Sequence, residues 1–147
     1  MKYWLMKSEP DEFSIDDLAR MGCNVWDGVR NYQARNFMRD MQKGDLIFFY
    51  HSSCKPAGIA GIMQIERCAY PDPSAINPQS PYYDTKSLQE NRWSAVDVRF
   101  VKKFNRLISL ETIKQMPELH DMLLISRSRL SVMPVSMQHW EVINALL

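Results

Sequence analysis

Between Trp93 and Lys102 the side chains alternate, with Ser94, Val96, Val98 and Phe100 on one side and Trp93, Ala95, Asp97, Arg99 and Val101 on the other. That two-residue period predicts a long strand with one clearly apolar face, the kind of strand that closing a small barrel requires. Two more β-forming runs accompany it. Leu46 to Tyr50 is a dense run of β-formers after the tight turn Lys43-Gly44-Asp45, and it reads as a central strand. Gly58 to Ile65 reads as another, and its two glycines point to a bulge or close backbone approach, as small curved barrels need.

Helices are interleaved with these strands. Tyr3 to Met6 reads as a short buried strand ended by Lys7-Ser8-Glu9-Pro10. Ser14 then caps a helix through Arg20, with Asp17 completing a capping box and Gly22 as its stop. Asn31 is an N-cap for an amphipathic helix from Tyr32 to Met41, in which Ala34, Phe37, Met38 and Met41 share one face. From Tyr70 to Pro81 four prolines among polar neighbours exclude regular structure, so this segment is expected to be an ordered flap. Ser109 caps a helix to Met116, and Pro117 interrupts it before a short helix around Leu119 to Leu124. An extended segment, Leu130 to Val135, precedes a last helix capped by Ser136. The strands are too irregularly interleaved for a doubly wound parallel sheet. The expectation is therefore an α+β fold, a small mixed β-barrel with peripheral helices, forming one domain over residues 1–147.

Composition narrows the function classes. A chain of 147 residues with 46% hydrophobic content can bury a core without metal or disulfide support. Cys23, Cys54 and Cys68 are odd in number and widely spaced, which matches free thiols rather than a disulfide framework or a zinc-ligand pattern. His51 and Cys54 have the spacing of half a metal site, with no second pair of ligands beside them. No metal or other cofactor is expected. No apolar run approaches the roughly 20 residues that span a bilayer, and the N-terminus lacks a signal-peptide layout. A soluble, cytoplasmic protein is expected, or a nuclear one in a eukaryote. The formal charge of +1 excludes a protein that grips nucleic-acid backbone by bulk charge, so any such contact must be local.

Three segments carry a family resemblance: Lys7-Ser8-Glu9-Pro10, the run from Trp26-Asp27-Gly28-Val29-Arg30-Asn31-Tyr32 to Asn36, and Phe48-Phe49-Tyr50-His51-Ser52. With Gly58-Ile59-Ala60-Gly61, Ala69-Tyr70-Pro71-Asp72, Trp93 to Val98 and Arg129 to Val135 they run nearly the whole length in register. The chain resembles the EVE domain family of the PUA-like superfamily, including its thymocyte nuclear protein 1 group. The resemblance implies a PUA-like β-barrel related to YTH and ASCH domains, with a pocket for a flipped, modified base. It implies modified DNA or RNA as partner, and it does not fix which base is read.

An unstacked base is held between aromatic rings, at about 1–3 kcal/mol per base, and is identified by hydrogen bonds to its edge. The expected base pocket is formed by Ser8, Trp26, Asn31, Tyr32, Tyr50, His51 and Trp93, with Arg30 and Arg35 at its mouth for phosphate contacts. Each has a plainer alternative. Trp26, in a polar, Gly-containing stretch that predicts a loop, can be an ordinary packing residue. Asn31 can be engaged as a helix cap, and Ser8 can close the turn before Pro10. His51 can be a satisfied structural histidine, and Arg99, Lys102, Lys103 and Arg106 can be a solvated face.

Two rival functions stay open. One is a small ASCH-like enzyme acting on modified nucleosides, with Lys7, Glu9 and Asp97 as acid and base. The sequence shows no nucleophile elbow, phosphate loop or metal-ligand set to anchor catalysis, so no catalytic residue is assigned. The other is a protein-interaction scaffold in which the aromatics are core and the flap docks a partner.

Overall fold

A computed structural model describes residues 1–147, and six strands and five α-helices account for most of it. Strand β1 (Tyr3–Ser8) leads into α1 (Ile15–Met21), whose capping box is made as expected: Ser14 accepts from the Asp17 N–H, and Asp17 accepts from the Ser14 N–H. Gly22 stops the helix at φ 79°. A four-residue strand that the periodicity does not reveal follows, β2 (Cys23–Trp26). Next comes α2 (Tyr32–Asp40), capped by Asn31, whose side chain accepts from the Ala34 N–H at 2.9 Å.

Strands β3 (Leu46–His51), β4 (Gly58–Pro71) and β5 (Ser94–Ser109) form an antiparallel meander. Both β4 and β5 are longer than their apolar runs suggest. After β5 come α3 (Leu110–Gln115), α4 (Leu123–Ser126), β6 (Val132–Val135) and α5 (Met137–Asn144).

The strands form one mixed sheet in the order β2-β5-β4-β3-β1-β6, with β1 and β3 parallel and every other pair antiparallel. The α+β class with peripheral helices is as expected, but closure is not: β2 and β6 are the free edges, and no ladder joins them. The sheet bends without closing. The β4–β5 ladder shifts register four times, which increases local twist, and Gly58 and Gly61 allow the strands to come very close. A Cβ on Gly61 would lie 2.2 Å from the Lys102 carbonyl oxygen.

Both faces of β3 are covered. Ile47, Phe48 and Phe49 are fully buried, and Trp140 of α5 stacks on Phe48 at 3.9 Å and on Tyr3 at 4.5 Å. Trp4, also buried, donates its indole N–H to Asp45, 3.0 Å away. These two tryptophans anchor core that lies away from the sheet's opening.

Candidate functional site

The opening between the two sheet edges is a cleft of about 1040 Å³. Asn24, Val25 and Trp26 line it from β2, while Lys7 and Ser8 from the end of β1, Tyr50 from β3 and Ser131 just before β6 line the other side. Phe13, Trp26, Tyr50 and Tyr82 give it aromatic walls. Trp26 is only 7% exposed and meets Phe49 edge-on at 5.3 Å and Phe13 at 6.1 Å, so one residue is both core and cleft wall. It ends a strand, paired with Val96, rather than sitting in a loop.

Tyr82 reaches the cleft because the flap between β4 and β5 is tied down. The flap is ordered by two 3₁₀ turns, Pro73–Ile76 and Thr85–Leu88; the first, like the end of β4 at Pro71, falls in the Tyr70 to Pro81 segment from which regular structure was expected to be absent. Its anchor is Asp72, fully buried, which accepts from the Gly28 N–H, from the Ser74 N–H and hydroxyl, and from Arg30 at 2.9 Å. Burial alone would raise this carboxyl. The Ser74 hydroxyl, the Gly28 N–H and Arg30 outweigh it and hold the group below its ordinary value. Arg30 also donates to the Ser74 hydroxyl, the Tyr82 carbonyl and the Val29 carbonyl. Both terminal nitrogens of the guanidinium are therefore engaged within the protein, three of their four hydrogen bonds going to the flap.

The expected pocket residues do not form one pocket. Ser8, Trp26, Asn31, Tyr50 and Arg30 line the cleft; Tyr32, His51, Trp93 and Arg35 do not. Tyr32 and Trp93 stack on each other at 4.8 Å outside it, with Arg35 over Tyr32 at 4.7 Å and Arg30 over Trp93 at 5.3 Å. The Trp93 indole N–H is held by Asp84, and Arg92 donates to the Tyr32 hydroxyl. The result is an aromatic–guanidinium ladder running from the flap to the surface, where Tyr32 is 49% exposed. Burial and the neighbouring Arg39 charge lower the Arg35 guanidinium from its usual value.

His51 turns away from the cleft and accepts the Ile15 N–H through Nε2 at 3.1 Å. Burial lowers its pKa, so it is a neutral structural histidine with that nitrogen already engaged. No cluster of three His, Cys, Asp or Glu side chains is arranged to hold a metal, and the three cysteines are free. Ser8 donates to the Phe13 carbonyl at 2.7 Å, closing the turn as its plainer reading has it. Asn31 both caps α2 through its oxygen and lines the cleft, where its amide nitrogen has no protein partner.

The fold brings further residues to the cleft. Lys7, named in the sequence only for the enzyme reading, donates to the Ser128 carbonyl and lies 5.6 Å from the Tyr50 ring centre, and burial lowers its pKa. Burial likewise pushes the Tyr50 hydroxyl up to about 12. Asp27, Tyr82 and Arg129 complete the polar lining. No local signal marks Tyr82 or Arg129; Asp27 directly follows Trp26 and could have been nominated with it. Asp97, grouped with Lys7 and Glu9 in the enzyme reading, lies outside the cleft and accepts from the Tyr70 hydroxyl.

A bent, open mixed sheet with its cleft between the edges defines a small PUA-like domain. The family model for the EVE domain matches residues 2–146, and the chain belongs to that family. Human thymocyte nuclear protein 1 is 42% identical over an alignment covering 98% of this chain and 73% of that protein. Among solved structures, a Pseudomonas syringae protein is 56% identical with a TM-score of 0.95, covering 98% of each chain. Human THYN1 in complex with 5-methylcytosine-containing DNA is 41% identical with a TM-score of 0.95, covering 99% of this chain and 97% of that one.

Proposed function

We propose that this protein is a non-catalytic reader that holds a modified base, most simply a modified cytosine of DNA, extruded from its strand into the cleft between the sheet edges. The observation that carries the reading is the cleft itself. It combines aromatic walls with polar groups that no other residue engages, notably the Asn31 amide nitrogen and the Asp27 carboxylate, which accepts only from its own backbone N–H. Its volume of about 1040 Å³ leaves ample room for one base and its sugar. The 5-methylcytosine-containing DNA bound by human THYN1 gives the ligand class.

The physics asks for both kinds of wall. Extruding a base from a duplex costs about a few kcal/mol, and stacking plus edge hydrogen bonds in the cleft must recover it. Unmodified nucleic acid is therefore held weakly, and the added methyl group is recognised by fit against the apolar wall. Tyr32, exposed at the end of the ladder, and Arg35 beside it offer a surface for the flanking strand, where Arg35 turns from its exposed contact with Asn36 to meet phosphate. Arg30 supports the reading indirectly, by fixing the flap that carries Tyr82.

Binding is tested with short single- and double-stranded DNA and RNA, each carrying cytosine, 5-methylcytosine, 5-hydroxymethylcytosine or N6-methyladenine. The panel is titrated against wild type and Trp26→Leu, which keeps an apolar group over Phe49 and removes the indole plane. Selective binding of one modified oligomer, weakened in a folded Trp26→Leu protein, supports the reader. Equal or absent binding of all oligomers rejects it. The rival enzyme reading keeps one observation in its favour, the lowered pKa of Lys7 beside Glu9 in the cleft. Turnover of modified nucleosides that is lost in Lys7→Ala would favour that reading instead.

A further inference from the structure

Asp27 is a half-buried acid whose surroundings have been claimed by another residue. It follows Trp26 directly at the end of β2 and lines the cleft. The nearby donors, the Gly28 N–H, the Arg30 guanidinium and Ser74, all go to Asp72. No other residue donates a hydrogen bond to the Asp27 side chain, and its one charged neighbour of opposite sign, Arg30, is already bound to Asp72. Burial and the charge of Asp72 raise the Asp27 pKa, so the group is held at an energetic disadvantage until a donor meets it. An acceptor-only side chain left open in an aromatic-walled cleft is complementary to a ligand edge that carries an N–H donor.

We infer that Asp27 is the specificity-determining residue of the cleft, accepting a hydrogen bond from the exocyclic amine of the extruded base and so selecting an aminopyrimidine over its oxo analogue. This rests on the base-reading function proposed above and goes further, because it names the edge that is read. 5-Methylcytosine and thymine share the ring and the methyl group. They differ at position 4, where the first presents an amine and the second a carbonyl oxygen. A carboxylate accepts from the amine and repels the oxygen. Shape alone cannot separate the two bases, since both fill the same volume, so a cleft that reads cytosine needs such an acceptor.

The test titrates wild type and Asp27→Asn against three otherwise identical DNA oligomers carrying 5-methylcytosine, thymine or 5-methylpyrimidin-2-one at one position. The last keeps ring and methyl and lacks the amine, so it probes the contact without altering the protein. Wild type should prefer 5-methylcytosine over both others by about tenfold or more, the range for a good edge contact. In Asp27→Asn, whose fold is checked by circular dichroism, the preference over thymine should collapse, because an amide can turn to donate as well as accept. Equal binding of 5-methylcytosine and 5-methylpyrimidin-2-one by wild type, or an undiminished preference in folded Asp27→Asn, would overturn the assignment while leaving the reader intact. Wild type that binds none of the three overturns both.

Discussion

Truncating Arg30 to alanine should release the flap, and the size of the effect follows from its contacts. Three of its hydrogen bonds cross to the flap, to Asp72 at 2.9 Å, to the Ser74 hydroxyl at 3.2 Å and to the Tyr82 carbonyl at 2.8 Å. Asp72 is wholly buried, so losing its cation leaves an uncompensated charge, which typically costs about 3–5 kcal/mol. Asp72 keeps three other donors, from Gly28 and Ser74, and the Arg30 side chain is 24% exposed, so the lower end, about 3 kcal/mol, applies. At roughly 2–4 °C per kcal/mol for a domain of this size, Tm should fall by about 6–12 °C in calorimetry. Arg30→Lys keeps the charge without the fork and should lose about half as much.

Adding Asp72→Asn to Arg30→Ala should recover part of the loss, since the stranded charge is then gone. The pH dependence has a definite sign. The folded-state pKa of Asp72 lies below its unfolded value, so its contribution is complete above about pH 4 and drains away only as acid protonates the folded carboxylate. The Arg30→Ala penalty should therefore be constant in the neutral range and shrink in acid, as the stranded Asp72 carboxylate of the variant takes up a proton more readily than that of wild type. A Tm drop under about 3 °C, or a penalty that shrinks between pH 8 and 6, would refute the lock.

Trp26→Ala should cost about 3–5 kcal/mol in chemical denaturation, because the indole is packed on Phe49 and Phe13, so loss of binding in that variant has to be read beside its stability. His51 has a folded pKa below its unfolded one, so it stabilises the fold above about pH 6.5 and less as pH falls. His51→Gln, which removes the titrating ring, should flatten stability against pH between 7 and 5 in urea titrations. Arg35→Ala should weaken DNA binding by the same factor for modified and unmodified oligomers and lower the salt slope by about 1, as for a lost phosphate contact. Gly28→Ala should destabilise by about 1–2 kcal/mol or more, because Gly28 has φ +78° and a Cβ there would meet the Tyr82 ring at 2.7 Å; hydrogen exchange should quicken across the flap.

Local chemistry is what the sequence discloses best. The caps at Ser14, Asn31, Ser109 and Ser136 are all made where they were expected, because a cap is a bond between a side chain and backbone three residues away. The alternation in β5 correctly predicts a long strand, but its one-sided burial holds only in part: Ser94, Val96 and Val98 are buried on one face, and Trp93 and Ala95 are buried on the other. Alternation cannot say whether a sheet's edges meet, which is why an open sheet was read as a barrel. Strand β2 went unseen because four residues between Gly22 and Asp27-Gly28 are too few to show a period.

The cleft was half legible for a related reason. Trp26, Asn31 and Tyr50 belong to motifs and do line it, but the partner that decides the role of Arg30 lies 42 residues away, at Asp72. The engagement of His51 with the Ile15 backbone spans 36 residues. Pairings of that range depend on register and on the path of the flap, which no local pattern encodes.

The four tryptophans allow one direct test of where a base is held. Only Trp26 lines the cleft; Trp93 belongs to the adjoining ladder, and Trp4 and Trp140 are buried elsewhere in the core. The indole N–H signals of nitrogen-15-labelled protein would be followed while a 5-methylcytosine oligomer is added. A large shift of Trp26, a smaller one of Trp93 and none of Trp4 or Trp140 is the expected result. Saturable binding that leaves Trp26 unmoved would contradict the cleft as the site.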